Sequence, residues 1–196
     1  MVASTIAALL LAPAALAQQT LPVSLSAGVA HSSNRTGVTT ALDIERPIAG
    51  PAAIRIGLGY VARGLTDSAQ TCIGGACFQD GVDVRADFLT FTALFVVAQD
   101  KPFVPYLAIG PYLAPRLACS DITVGDCDRV DTSDGGLVLE TGAILATRPQ
   151  VNVQLRYERA LAATVQIPQG DAGGSTDLRY QTISVALRLR LGTFGS

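Results

Sequence analysis

The chain has 196 residues, 49% of them hydrophobic and only 15% charged, with a formal net charge of -2 and positive mean hydropathy. That length suits a single domain and that composition is too apolar for disorder. The slight acidity excludes the basic face that nucleic-acid binders carry, and nineteen glycines and ten prolines favour many turns over a helical bundle.

Residues 1–17 read as an export signal. Ile6 to Ala12 is a short apolar run, although no Lys or Arg precedes it, and Ala15-Leu-Ala17 has the small-x-small form of a cleavage site. The domain is then expected to occupy 18–196, and nothing in it approaches the roughly 18 to 20 continuous apolar residues of a spanning helix.

Strand one is expected from Leu21 to His31, with Leu21, Val23, Leu25, Ala27 and Val29 outward and Ser24, Ser26, Gly28 and Ala30 inward. After the turn Ser32–Gly37, strand two turns Leu42 and Ile44 outward and Ala41, Asp43 and Glu45 inward. Pro47–Pro51 then makes a tight connection. Strand three, Ala53 to Arg63, alternates Ile54, Ile56, Leu58 and Tyr60 with Arg55, Gly57 and Gly59. Thr66 to Gly81 reads as a long loop.

Strand four, Val82 to Val97, carries Asp83, Arg85 and Asp87 on the face that continues as Leu89, Phe91, Ala93, Phe95 and Val97, so its polar part is expected above a membrane and the rest inside it. After the Gln99–Pro102 turn, strand five (Phe103 to Pro115) alternates despite three prolines, which cannot donate to a ladder. Cys119 to Gly136 reads as the longest loop, acidic through Asp121, Asp126, Asp128, Asp131 and Asp134. Strand six, Leu137 to Ala146, points Glu140 and Gly142 inward.

Strand seven, Val151 to Arg159, sets Val153, Leu155 and Tyr157 against Asn152, Gln154, Arg156 and Glu158, because successive side chains of a strand leave opposite faces. A loop at Ile167–Thr176 leads to the last strand, where Ile183, Val185, Leu187, Leu189 and Leu191 oppose Thr182, Ser184, Arg188 and Arg190. The fold class is therefore all-β: an eight-stranded antiparallel up-and-down barrel with apolar faces toward lipid. The expected lumen set is Asp43, Glu45, Arg55, Glu140, Arg156, Glu158, Arg188 and Arg190. Its four acids and four arginines can neutralise one another, and a barrel of this size is filled by its own side chains. The alternative is a soluble periplasmic lipocalin-like barrel with the same alternation and its apolar faces turned inward around a ligand.

The four cysteines form two local pairs, Cys72 with Cys77 and Cys119 with Cys127, which fits two loop disulfides in an oxidising compartment. Crossed pairing and free thiols are the alternatives. Neither these spacings nor the single histidine suits zinc, the acidic loop lacks the ordered ligand spacing of a calcium loop, and no metal or other cofactor is expected.

The segments Asp87–Phe95, Lys101–Leu113, Leu155–Glu158 and Val185–Phe194 resemble the eight-stranded outer-membrane barrels of the porin family, OmpA-like and PorT-like. The resemblance covers nearly all of 18–196. It implies residence in the outer membrane as a structural or surface-interaction protein, a monomer in contact with lipid and lipopolysaccharide, inserted by the barrel-assembly machinery. Trp is absent, so an aromatic girdle is expected from Tyr60, Phe88, Phe103, Tyr157 and Phe194. The segment His31-Ser-Ser-Asn34 resembles a motif of outer-membrane lipid A deacylases, which would make His31 the base and Ser33 the nucleophile, in need of an acid to orient the base.

Overall fold

A computed structural model describes residues 21–33, 35–73, 76–98, 103–121, 126–147, 149–161, 165–169 and 174–194. The expected export signal lies outside them. The chain forms β1 (Leu21–Ser32), β2 (Arg35–Ala49), β3 (Ala52–Ile73), β4 (Ala76–Val97), β5 (Pro105–Asp121), β6 (Ser133–Thr147), β7 (Gln150–Ala160), β8 (Val165–Gln169), β9 (Gly174–Leu178) and β10 (Gln181–Phe194), with one 3-10 turn at Asp126–Arg129. Every pairing is antiparallel. Neighbours in sequence pair from β1 through β7, then β10 joins β7 to β1 and closes the ring, while β8 and β9 make a separate hairpin.

The polarity of the wall is inverted relative to a soluble protein. Leu25, Leu42, Ile56, Phe95, Leu139, Leu155, Val185 and Leu187 are exposed, while Asp43, Arg55, Glu140, Arg156, Glu158 and Arg188 are buried. This is the expected phase on every barrel strand, and it overturns the soluble alternative, because the residues that would line a lipocalin cavity stand on the outside.

The structure corrects several expectations. Thr66–Gly81 is not a loop: β3 and β4 run on as one ladder to Ile73 opposite Ala76, because backbone pairing does not need the apolar alternation by which strands are recognised in sequence. The acidic loop is shorter than expected, since β5 reaches Asp121 and β6 begins at Ser133. Ile167–Thr176 lies largely within the β8–β9 hairpin.

Val23, expected outward, is buried, and the register slips beside it between Val23 and Ser24, where β10 carries one extra residue. Phe88, expected in an aromatic girdle, is fully buried because it shares its phase with the inward Thr90, Thr92 and Leu94. Phe103 is exposed and Tyr60 and Tyr157 are half-buried; the side chain of Phe194 lies outside the description.

Two glycines of β6 position the two large aromatic side chains of β5. Tyr106 pairs directly with Gly142, and Tyr112 with Gly136. A Cβ on Gly142 would lie 2.7 Å from Tyr106 Cε1, and one on Gly136 would lie 2.9 Å from Tyr112 Cε1, so both tyrosines occupy space that only glycine leaves.

The Cys119–Cys127 disulfide forms as expected, with Cα atoms 5.9 Å apart. The register places Cys72 opposite Cys77, with their side chains outside the description. Arg116 Nη1 donates to the carbonyls of Cys127 and Val130 at 2.8 Å each. These ties fold the β5–β6 connection inward, so that Val130 joins the buried cluster with Phe88 and Tyr180.

Gly142→Val is expected to destabilise the refolded barrel by about 1–3 kcal/mol through overpacking against Tyr106. Gly142→Val combined with Tyr106→Ala should recover much of that loss, read from urea-unfolding midpoints.

Candidate functional site: the charged lumen

The inward faces build two tiers of charge. The first lies near the short connections β2–β3 and β6–β7. There Arg55 Nε meets Glu45 Oε2 at 3.0 Å and Arg55 Nη1 meets Glu140 Oε1 at 2.5 Å. Arg188 approaches Asp43 at 3.5 Å and Glu45 at 3.6 Å. Tyr106 donates its hydroxyl hydrogen to Glu140 at 2.9 Å, and the Arg55 guanidinium lies 5.4 Å from the centre of the Tyr106 ring. A Cβ at Gly57 would meet the carboxylate of Asp43, so this glycine makes room for the acid.

The second tier centres on Arg63, whose side chain has no solvent exposure. It donates to Asp134 and to Glu158, and Glu158 is shared with Arg156 at 2.7 Å. Three rings surround its guanidinium: Phe88 at 5.1 Å, Tyr112 at 5.3 Å and Tyr180 at 5.6 Å. Tyr112 also donates to Asp134 at 2.8 Å. Tyr180 stands edge-on to Phe88 with centroids 5.6 Å apart, above the last outward apolar residue of β10, and burial pushes its phenol up to about 12.

The lumen therefore contains seven of the eight expected residues in buried or half-buried positions. Arg190 is corrected: it is exposed at the mouth and donates to Gln150 Oε1 at 2.9 Å. There it borders a recess of about 120 Å3 with Glu45, Arg55 and Arg188.

Two residues central to the second tier were absent from the expected set. Arg63 continues the two-residue phase of Arg55 along β3. Asp134 was assigned to the acidic loop, yet it lies six positions before Glu140 in the same phase of β6. Period-two spacing carried both signals. With them, Arg55, Arg63, Arg156, Arg188 and Arg190 balance Asp43, Glu45, Asp134, Glu140 and Glu158.

His31 is exposed, and its Nδ1 lies 3.2 Å from Thr36 Oγ1. Ser33 sits in the β1–β2 turn with φ of +41°, so it leaves the strand phase it was expected to share with His31. Asp43 and Glu45 face the lumen as expected, away from the His31 rim. Among the described residues no group of three or more His, Cys, Asp or Glu side chains is arranged to hold a metal.

A closed eight-stranded antiparallel barrel with an apolar outer wall and an ion-paired interior is the class that fold and site define. No family model and no curated protein matches the chain. Among solved structures it is similar to the Neisserial surface protein A, at 16% identity and a TM-score of 0.46 over 87% of this chain and 97% of that one. It is also similar to Ail, the attachment invasion locus protein of Yersinia pestis, at 12% identity and a TM-score of 0.46 over 89% and 99%. The architecture rests on the closed register, not on these low-scoring likenesses.

Removing one member of a buried ion pair leaves the other charged and uncompensated. Arg63→Met is expected to cost about 3–5 kcal/mol. Adding Asp134→Asn should return a substantial part of it, which a double-mutant cycle on urea unfolding would read as a coupling energy.

Proposed function

We propose that the chain is an outer-membrane protein of the OmpA-like type, a lipid-embedded structural or surface-interaction barrel whose lumen is plugged by its own arginine and carboxylate side chains. The observation that carries this reading is the exposed apolar wall. On β10 the outward residues Ile183, Val185, Leu187, Leu189 and Leu191 are all exposed without a charge among them. At about 3.3 Å per residue, and tilted as barrel strands are, their span is commensurate with the apolar band of roughly 25 Å that such barrels present. In water so large an apolar surface would drive aggregation.

The two tiers support the plug. Four arginines and two tyrosines fill the cross-section between facing strands and find carboxylates there, so conduction of ions would require these pairs to separate. The protein acts without catalysing a reaction, since the His31 ring is engaged by Thr36 and its nearest expected acids face the lumen. Its surroundings are outer-membrane lipid and lipopolysaccharide, it is a monomer, and insertion is by the barrel-assembly machinery.

Membrane fractionation with gel mobility before and after boiling tests the location; a chain that stays in the aqueous fraction without detergent overturns it. Leu187→Arg gives the energetic counterpart. In a bilayer it should cost about 2–4 kcal/mol, whereas on a wet surface the change would fall within about 0.5 kcal/mol. Ser33→Ala is expected to leave lipid A acylation unchanged when the protein is expressed in a Gram-negative host. Loss of an acyl chain with the wild type but not the variant would restore the esterase reading.

A further inference from the structure

The wall of the barrel splits at one place. β2 begins at Arg35 and β3 continues to Ile73, but the ladder between them ends at Thr39 opposite Val61. Above that point residues 35–38 remain paired with β1, and β3 remains paired with β4. Between the parted strands lies a recess of about 270 Å3, far larger than the roughly 10–15 Å3 that a single water requires.

Three arginines line it, one from each of β2, β3 and β4: Arg35, Arg63 and Arg85. Thr36 adds a hydroxyl, and among the described residues no carboxylate is in the lining. The local sequence creates this convergence. Gly64 has no side chain, and a Cβ there would collide with the Arg35 stem. Arg35 therefore crosses the split over β3 and reaches Asp83 on β4.

The carboxylates nearby do not saturate the three guanidinium groups. Arg63 gives its two terminal nitrogens to Asp134 and Glu158, but its Nε is buried without a hydrogen-bond acceptor among the described residues. Arg85 is more than half exposed and approaches Asp87 only to 3.8 Å; both neighbour the hydroxyl of Tyr60. The Arg35–Asp83 pair is about one third exposed on each side, so water competes with it and its worth is small. A multiply charged oxyanion matches this arrangement, because guanidinium forks bind phosphate oxygens in planar, bidentate fashion.

We infer that the split between β2 and β3 is a phosphate-binding site formed by Arg35, Arg85 and the floor contributed by Arg63. Its height gives it a second property, which rests on the membrane reading above. The outward row immediately below it consists of Val38, Tyr60 and Leu89, the end of the apolar wall on these strands. The recess therefore opens at the level of membrane headgroups, where a phosphate on a lipid and a phosphate free in solution both have access.

The test uses the whole chain refolded in dodecyl maltoside, with folding confirmed by gel mobility before and after boiling. Native mass spectrometry compares micelles containing monophosphoryl lipid A with micelles containing its dephosphorylated counterpart, and calorimetry titrates inorganic phosphate. The expected result is preferential retention of the phosphorylated lipid, weakened about tenfold or more in Arg35→Gln/Arg85→Gln and kept in Arg159→Gln/Arg179→Gln, which removes the same charge from exposed positions elsewhere. Binding of inorganic phosphate with the same dependence on Arg35 and Arg85, but without a lipid preference, upholds the site and assigns it to free phosphate. A folded wild type that binds neither, or equal weakening by both double variants, overturns the site and leaves the membrane reading standing. A wild type that stays soluble without detergent overturns both.

Discussion

The structure depends on the requirement that charges taken out of water find partners. An arginine enclosed in a ring of strands cannot keep its hydration shell, and its attraction to a carboxylate offsets the lost solvation only when geometry is close and remaining donors are satisfied. Arg63 shows what this demands: two acids from two different strands, β6 and β7, and three aromatic faces around the guanidinium. Because these partners come from separate elements, the pairing also specifies which strands must be neighbours and at what height.

The tyrosines connect that electrostatic requirement to packing. Tyr106 and Tyr112 lie over glycines of the adjacent strand and deliver their hydroxyls to Glu140 and Asp134. Each ring fills volume while its phenol satisfies one carboxylate lone pair, which a purely aliphatic filling would leave unmet. The interior is thus close-packed and polar together, and the apolar surface is displaced to the outside.

The wall was legible in the sequence because pleating forces side chains to alternate. Val151–Arg159 and Ile183–Leu191 each sort into one apolar and one polar face, and the closed ladder has those faces where alternation put them. What alternation did not reveal was wet from dry, which became visible only when Leu187 was found exposed at 57% and Arg188 buried at 4%. The central residues of the second tier were missed because Arg63 stood at the supposed end of a strand and Asp134 within an Asp/Gly-rich stretch. Both positions read as turns by composition, although their spacing from Arg55 and Glu140 kept the strand period. Phe88 was misplaced for the opposite reason: its aromatic character suggested a membrane interface, while its even spacing from Thr90 and Thr92 determined that it faces in. The β3–β4 ladder beyond Leu65 stayed hidden because hydrogen bonds between main chains leave no periodic mark in a polar segment.

The ring is completed by the pairing of Leu21–Ser32 with Gln181–Phe194, two segments separated by nearly the whole described chain. Until the final strand is present, β1 and β7 each retain an open edge whose amide and carbonyl groups have no mate, a state that hydrocarbon does not tolerate. Closure is therefore a late and cooperative event, and a chain interrupted before Gln181 would be left with two adhesive borders instead of a smaller barrel.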